Sequence, residues 1–277
     1  MRAVNVGSHT RIVMLALVLL ASACAHRIPP LDPMAPVQLE VDVVLDRDTL
    51  ELHLSRPCEL DVARPMIMFA TGDGGWRGKD KDAFEHMIGW GYAIAGFSSP
   101  KYLTHIVRHT HATTPADVAR DYDQMIGMAK QAMGLSADTP TVLVGISRGS
   151  GLAVAAAGEP ELQPSLEGVV AVALTREEEY VKRPKRRRPA SGADSEMVMQ
   201  DNYEYLPRLH TLPLVIIQST HDDYLPAEEA RRLLGPDSPM RQLRPIGAKN
   251  HSFSNARETL YEELRSSLEW IGQVHTP

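Results

Sequence analysis

An α/β fold, with a mostly parallel central sheet and helices on both of its faces, is what this sequence predicts. Three observations carry that prediction. Short, nearly unbroken apolar runs recur at Met66–Ala70, Ala93–Phe97, Thr141–Val144, Val169–Leu174 and Leu214–Ile217. Strands covered on both sides read this way, because neither face is left to solvent. Helix-length stretches separate them, at about 79–90, 115–133, 148–157, 226–234 and 255–272, and such alternation implies a parallel sheet. Finally, apolar residues make up 43% of the 277 positions, enough for one continuous core.

The elements follow in order. Arg2 and Arg11 precede an apolar run, Ile12 to Ala21, which ends at Ala21-Ser22-Ala23-Cys24. A basic start, a short apolar middle and small residues at a cut form an export signal, so residues 1–23 are expected to be a leader removed before Cys24. The same bond is cut in a lipoprotein signal, in which Cys24 carries the lipid, and in ordinary signal cleavage. Leu20 stands four residues before the cysteine, one further than the usual lipoprotein pattern. Residues 24–36 hold Pro29, Pro30, Pro33 and Pro36 and read as a tether. The folded domain is expected over 37–277. It opens with alternating residues around Leu39–Val43 and Leu50–Leu54, the pattern of an antiparallel hairpin. Met240–Ile246 reads as the last strand. Residues 176–210 break the alternation: they are too long and too charged for a plain connection and are expected to form an insertion near the top of the sheet.

Charge narrows the function classes. The formal net charge is −6, and loss of Arg2 and Arg11 with the leader makes the mature chain more acidic still. That balance argues against a general nucleic-acid binder. The basic residues are uneven, however. Lys182–Arg188 reads KRPKRRR, a run suited either to a solvated loop or to contact with an anionic leaflet. Only Cys24 and Cys58 are present, which is no disulfide framework, and neither looks catalytic. His105, His109 and His111 lie close together without acid or thiol partners in their loop, so no metal site is expected. No cofactor is expected either.

The strongest local signal is Gly145-Ile146-Ser147-Arg148-Gly149. On its own G-x-S-x-G is weak, but here an apolar strand precedes it and the helical Leu152–Ala157 follows. That is the strand–turn–helix setting in which a serine stands exposed on a sharp turn. A serine needs a base, and the base an orienting acid. In the α/β-hydrolase fold they follow in the order serine, acid, histidine. After the strand Leu214–Ile217 comes His221-Asp222-Asp223-Tyr224-Leu225-Pro226. It resembles the acid loop of α/β-hydrolases, where an aspartate precedes two residues and an apolar-Pro pair; the resemblance implies Asp222 rather than Asp223. His251 stands on the loop after the last strand, the place this fold gives its base. The sequence thus nominates Ser147 as nucleophile, His251 as base and Asp222 as orienting acid. For the oxyanion, one donor is expected to be the Arg148 amide. The other is expected from Thr71-Gly72-Asp73-Gly74-Gly75-Trp76, whose similarity to the His-Gly loop of α/β-hydrolases implies Asp73 or Gly74 as donor. This loop lacks the Lys-Ser/Thr of a P-loop. Trp76 is expected beside the pocket, and the Arg148 guanidinium is a candidate for holding a substrate phosphate or carboxylate.

TGDGGW, GWGYAIAGFSSPKYL, TTPADVARDYDQMI and the serine turn together resemble the bacterial virulence protein VirJ/AcvB family, from about residue 64 onward. Ile146 and Arg148 depart from that family, which usually has aromatic residues on either side of the serine. The resemblance implies a periplasmic protein of the α/β-hydrolase superfamily with a part in type IV secretion. It also implies hydrolysis of esters on a lipid headgroup, such as aminoacyl-phosphatidylglycerol. The partners it implies are an ester substrate and secretion-system proteins; association with the membrane is expected from a lipid anchor on Cys24. A rival expectation is a non-catalytic periplasmic accessory protein using the same fold as a binding surface.

Overall fold

The computed structural model describes residues 37–45, 48–61, 63–106, 113–181 and 198–275. The expected leader and tether, with Cys24, lie outside the described residues. So do Lys182–Arg188, His109, His111 and the side chain of His105.

In chain order the elements are β1 (Val37–Leu45), β2 (Asp48–Arg56), β3 (Met66–Ala70), α1 (Lys79–Gly89), β4 (Ile94–Phe97), α2 (Ser99–Ile106) and α3 (Pro115–Met133). Then come β5 (Thr141–Ile146), α4 (Arg148–Ala157), β6 (Leu166–Val172), β7 (Glu177–Val181), β8 (Val198–Asp201) and α5 (Asn202–Tyr205). The last are β9 (Leu214–Ser219), α6 (Ala227–Leu234), β10 (Arg241–Ile246) and α7 (Arg257–His275).

Eight strands form one sheet in the order β1-β2-β4-β3-β5-β6-β9-β10. The opening hairpin is antiparallel, with Val41 opposite Leu52, and β2 meets β4 antiparallel. From β4 to β10 every pairing is parallel. The apolar runs alternate between two cores, as the period of two requires. Met66, Met68 and Ala70 join the core shared with α3, α4 and α6, while Ile67 and Phe69 join the one shared with α1 and α7. Leu214 and Ile216 against Val215 and Ile217 repeat the pattern on β9. Local signals delimit the helices. Thr114 and Asp117 form a capping box before α3, and Gly134 ends it in the left-handed region.

Two features depart from expectation. The eight-residue helix α2 gave no usable signal, being short and opening on Ser99-Pro100. The insertion is partly regular: β7 and β8 pair as an antiparallel ribbon, a second sheet of two strands. Its base is tied by Asn202, whose backbone N–H donates to Arg176 O and whose side-chain amide donates to Thr175 O.

Candidate active site

Ser147 occupies the turn between β5 and α4 with φ 52 and ψ −117. A non-glycine residue there carries about 1–3 kcal/mol of strain, which the surroundings must hold. They do so through close backbone approach. A Cβ on Gly145 would lie 2.1 Å from Gly149 O, and one on Gly149 would lie 2.2 Å from Ala70 O. Both glycines are therefore required for the chain to turn so tightly. The Ser147 N–H donates to Val172 O at 2.8 Å, which ties the turn to β6.

The three residues nominated for the triad meet. His251 Nε2 lies 2.8 Å from Ser147 Oγ, and His251 Nδ1 lies 2.8 Å from Asp222 Oδ2. Asp222 is 3% exposed and its carboxylate accepts from four groups. The amides of Tyr224 and Leu225 reach Oδ1 at 2.9 and 3.3 Å. Oδ2 takes both His251 and the Gln218 side-chain amide, the latter at 3.1 Å. Asp223, one residue on, is exposed. The histidine loop is held by Phe253, fully buried with φ 53, whose N–H donates to Asn250 O.

On the other side of Ser147 lies the glycine loop after β3. Gly72 is so close that a Cβ there would come within 3.3 Å of Ser147 Cβ. The Gly72 N–H donates to Asp80 Oδ2 at 2.6 Å, and Asp80, 2% exposed, is also paired with Lys79. Beyond it the backbone N–H groups of Asp73 and Gly74 have no acceptor among the described residues. They are available to a developing oxyanion, and α4 begins just after the serine, where a helix N-terminus favours negative charge.

The Arg148 guanidinium does not stand open to a substrate anion. Nε and Nη2 meet the Asp73 carboxylate at 2.9 and 3.3 Å, and Nη1 meets Glu178 Oε1 at 2.9 Å. Burial raises the Glu178 carboxyl above its ordinary range, and Arg148 opposes that rise.

A cavity of about 400 Å³ opens over these groups, lined by Ser147, His251, Asp73, Gly74, Met199 and Tyr224 among others. Tyr224, 71% exposed, meets the His251 ring in an edge-type contact at 4.8 Å between centroids. Trp76 is not part of this lining, which corrects the expectation that it packs beside the pocket. Gly75, at φ 68, turns the chain away, and the indole seeks burial elsewhere. It stacks on His53 at 3.9 Å, meets Phe84 at 4.7 Å, and lines a separate cavity of about 620 Å³ against the opening hairpin.

Sequence reasoning missed Gln218, Asp80 and Glu178. A glutamine four residues before the acid and a carboxylate eight residues after Gly72 are local cues to the first two. Glu178 reaches the site only through the ribbon, so no local pattern marks it.

No curated protein matches the chain. Solved structures do resemble it. A Klebsiella pneumoniae protein assigned as a dienelactone hydrolase superposes with a TM-score of 0.61 at 14% identity, covering 85% of this chain and 99% of its own. Est1E from Butyrivibrio proteoclasticus gives 0.58 at 14%, covering 84% and 98%. A dienelactone hydrolase from Anabaena variabilis gives 0.56 at 18%, covering 85% and 96%. At such identities the likeness is one of fold. Residues 64–183 match the family described as bacterial virulence protein (VirJ), and the fold that carries them is that of the α/β-hydrolases.

Proposed function

We propose that the chain is an exported serine esterase. The observation that supports it most is the continuous line Ser147 Oγ, His251 Nε2, His251 Nδ1, Asp222 Oδ2, with 2.8 Å at each contact. In this reading His251 takes the proton from Ser147 as the serine attacks an ester carbonyl. The tetrahedral oxyanion is held by the amides of Arg148 and of Asp73 or Gly74. His251 then gives its proton to the departing alcohol, and water releases the acyl group by the same route.

The substrate we propose is an ester on a membrane lipid headgroup, of the aminoacyl-phosphatidylglycerol kind. The VirJ match supports this choice, and so do Met199 and Tyr224, exposed apolar side chains at the cavity mouth. Export with a lipid on Cys24 would keep the protein at the membrane surface where such substrates lie. Secretion-system proteins are further partners we propose on the same family match.

A fluorophosphonate probe tests the chemistry. Wild-type protein is expected to label, and Ser147→Ala is not. Ester hydrolysis by that variant is expected to fall by at least about 10³-fold. Unlabelled wild type would leave a binding protein on a hydrolase fold. Comparison of membrane lipids with and without the protein tests the substrate: unchanged aminoacylated pools would sink the headgroup choice.

A further inference from the structure

We infer that the Arg148 side chain is a positioning residue for the oxyanion loop, and that the ribbon insertion belongs to the same device through Glu178. The inference rests on the esterase reading.

The loop that presents the Asp73 and Gly74 amides is secured at its start. Thr71 Oγ1 accepts from the Ser99 N–H at 3.1 Å, and Asp80 holds the Gly72 N–H. Beyond Gly72 the Gly75 N–H donates to Gly72 O at 3.0 Å and closes Asp73 and Gly74 in a turn, whose outer side bears two glycines. The two bonds from Arg148 to the Asp73 carboxylate hold that turn against the start of α4. A guanidinium binding both oxygens of a carboxylate fixes direction as well as distance. Arg148 is itself the residue whose N–H follows the nucleophile. One residue therefore joins the two halves of the oxyanion pocket, by its backbone on one side and its side chain on the other.

Glu178 completes the arrangement. It comes from β7, and its Oε1 accepts from Arg148 Nη1 while Oε2 accepts from Thr175 Oγ1 at 2.8 Å. The Glu178 side chain is 8% exposed and that of Arg148 is 18% exposed. Partial desolvation of this kind strengthens the pair and narrows its geometry. A substrate anion would have to displace a carboxylate from a cation that already faces two. Arg148 thus acts on the reaction by holding the loop, and a shift of about 1 Å in a catalytic group is enough to cost about 10²-fold in rate.

The test uses the full chain and two esters with the same acyl group, one with a neutral leaving group and one with a carboxylate on it. Inhibition by an alkyl boronate, which forms a tetrahedral adduct with the serine, is read alongside. Arg148→Met is expected to lower kcat about 10- to 100-fold on both esters, with KM within about twofold, and to weaken the boronate by the same factor. Asp73→Ala, which keeps the backbone N–H, should do the same, and the double variant should be no worse than the poorer single one. Glu178→Gln should lower kcat about threefold, as one of two anchors is lost. A KM rise confined to the anionic ester would make Arg148 an anion receptor and overturn the inference. Additive losses would overturn it too, as would an unchanged kcat in either Arg148→Met or Asp73→Ala. Should Arg148→Met fail to fold, Asp73→Ala alone decides. Wild type that neither cleaves the esters nor labels with fluorophosphonate overturns the esterase reading and this one together. A labelled wild type with an indifferent Asp73→Ala overturns only this one.

Discussion

Of two cavities among the described residues, the larger has no serine, threonine or cysteine in its lining. About 620 Å³ opens beside the first hairpin, lined by Trp76, His53, Leu54 and Phe84. About 400 Å³ opens over Ser147. Both contain a histidine paired with carboxylate. His53 meets Glu40 and Glu51 at 3.0 and 3.3 Å, both of them surface residues, and its ring lies flat on Trp76. His251 meets an aspartate whose side chain is 0% exposed and which three further donors hold in place. What separates them is convergence. In the smaller cavity β5, β9, β10 and the β3 loop deliver polar groups to one point at the ends of parallel strands, and each group is fixed from behind. Volume alone does not make a site.

Asp222→Asn should break that contrast most sharply. An asparagine can turn its amide toward His251 and hold the wrong tautomer, so kcat/KM for a simple ester is expected to fall about 10³- to 10⁴-fold. Circular dichroism should show the fold unchanged. A loss under about tenfold would mean that the carboxylate contributes packing rather than orientation.

Gln218→Leu sharpens the contrast one layer deeper. Gln218 is fully buried, and its side-chain amide donates to Asp222 Oδ2 and, at 2.6 Å, to Leu225 O. Its Oε1 has no partner among the described residues. The orientation is dictated by chemistry, since turning the amide would aim oxygen at two acceptors. A buried carbonyl left unmet costs about 1–3 kcal/mol, so the glutamine is there for its donors. Replacement should slow fluorophosphonate labelling about tenfold, in line with the loss of one hydrogen bond to a charged group. Lower stability with an unchanged labelling rate would reduce Gln218 to a packing residue.

Trp76→Leu belongs to the other cavity and should do the reverse. Loss of the indole from Phe84 and His53 is expected to cost about 2 kcal/mol, and so to lower Tm by about 5 °C in a domain of this size. The expected kcat for a small ester is that of wild type. A tenfold loss would connect the two cavities and restore Trp76 to the active site.

The division between what sequence revealed and what it hid follows the range of each interaction. Strand runs buried on both faces and the glycines around Ser147 act within a few residues, so their patterns stand in the sequence. Asp222 and His251 lie far from Ser147 in sequence, and chain order together with the Leu225-Pro226 match picked them out, because the topology brings strand ends to one edge. Trp76 went wrong at the same local scale: one glycine at positive φ sends it across the loop. Glu178 depends on a ribbon whose strands are separated in sequence by residues 182–197, and nothing near it distinguishes it from Glu177. The Arg148 guanidinium looked free for a substrate until Asp73 and Glu178 were seen beside it.

Glu178 also gives the smallest expected effect, which is one of slope rather than size. Burial raises its carboxyl above the ordinary 4.5, with Arg148 pulling the other way. The folded protein therefore keeps this proton to higher pH than the unfolded chain does. Between the two values the native state binds more protons, so stability from this group falls as pH rises. Above both values the cost of ionising a buried carboxyl is fully present, and below both it is absent. Glu178→Gln cannot titrate and should remove this part of the slope, whatever constant offset comes from losing the Arg148 pair. Urea unfolding at steps from pH 4 to 7 reads the difference between wild type and variant. That difference should drift in the variant's favour as pH increases. A drift in the opposite sense would mean that Arg148 outweighs burial at this carboxylate, and that the ribbon is drawn to the site by charge more than it is strained by it.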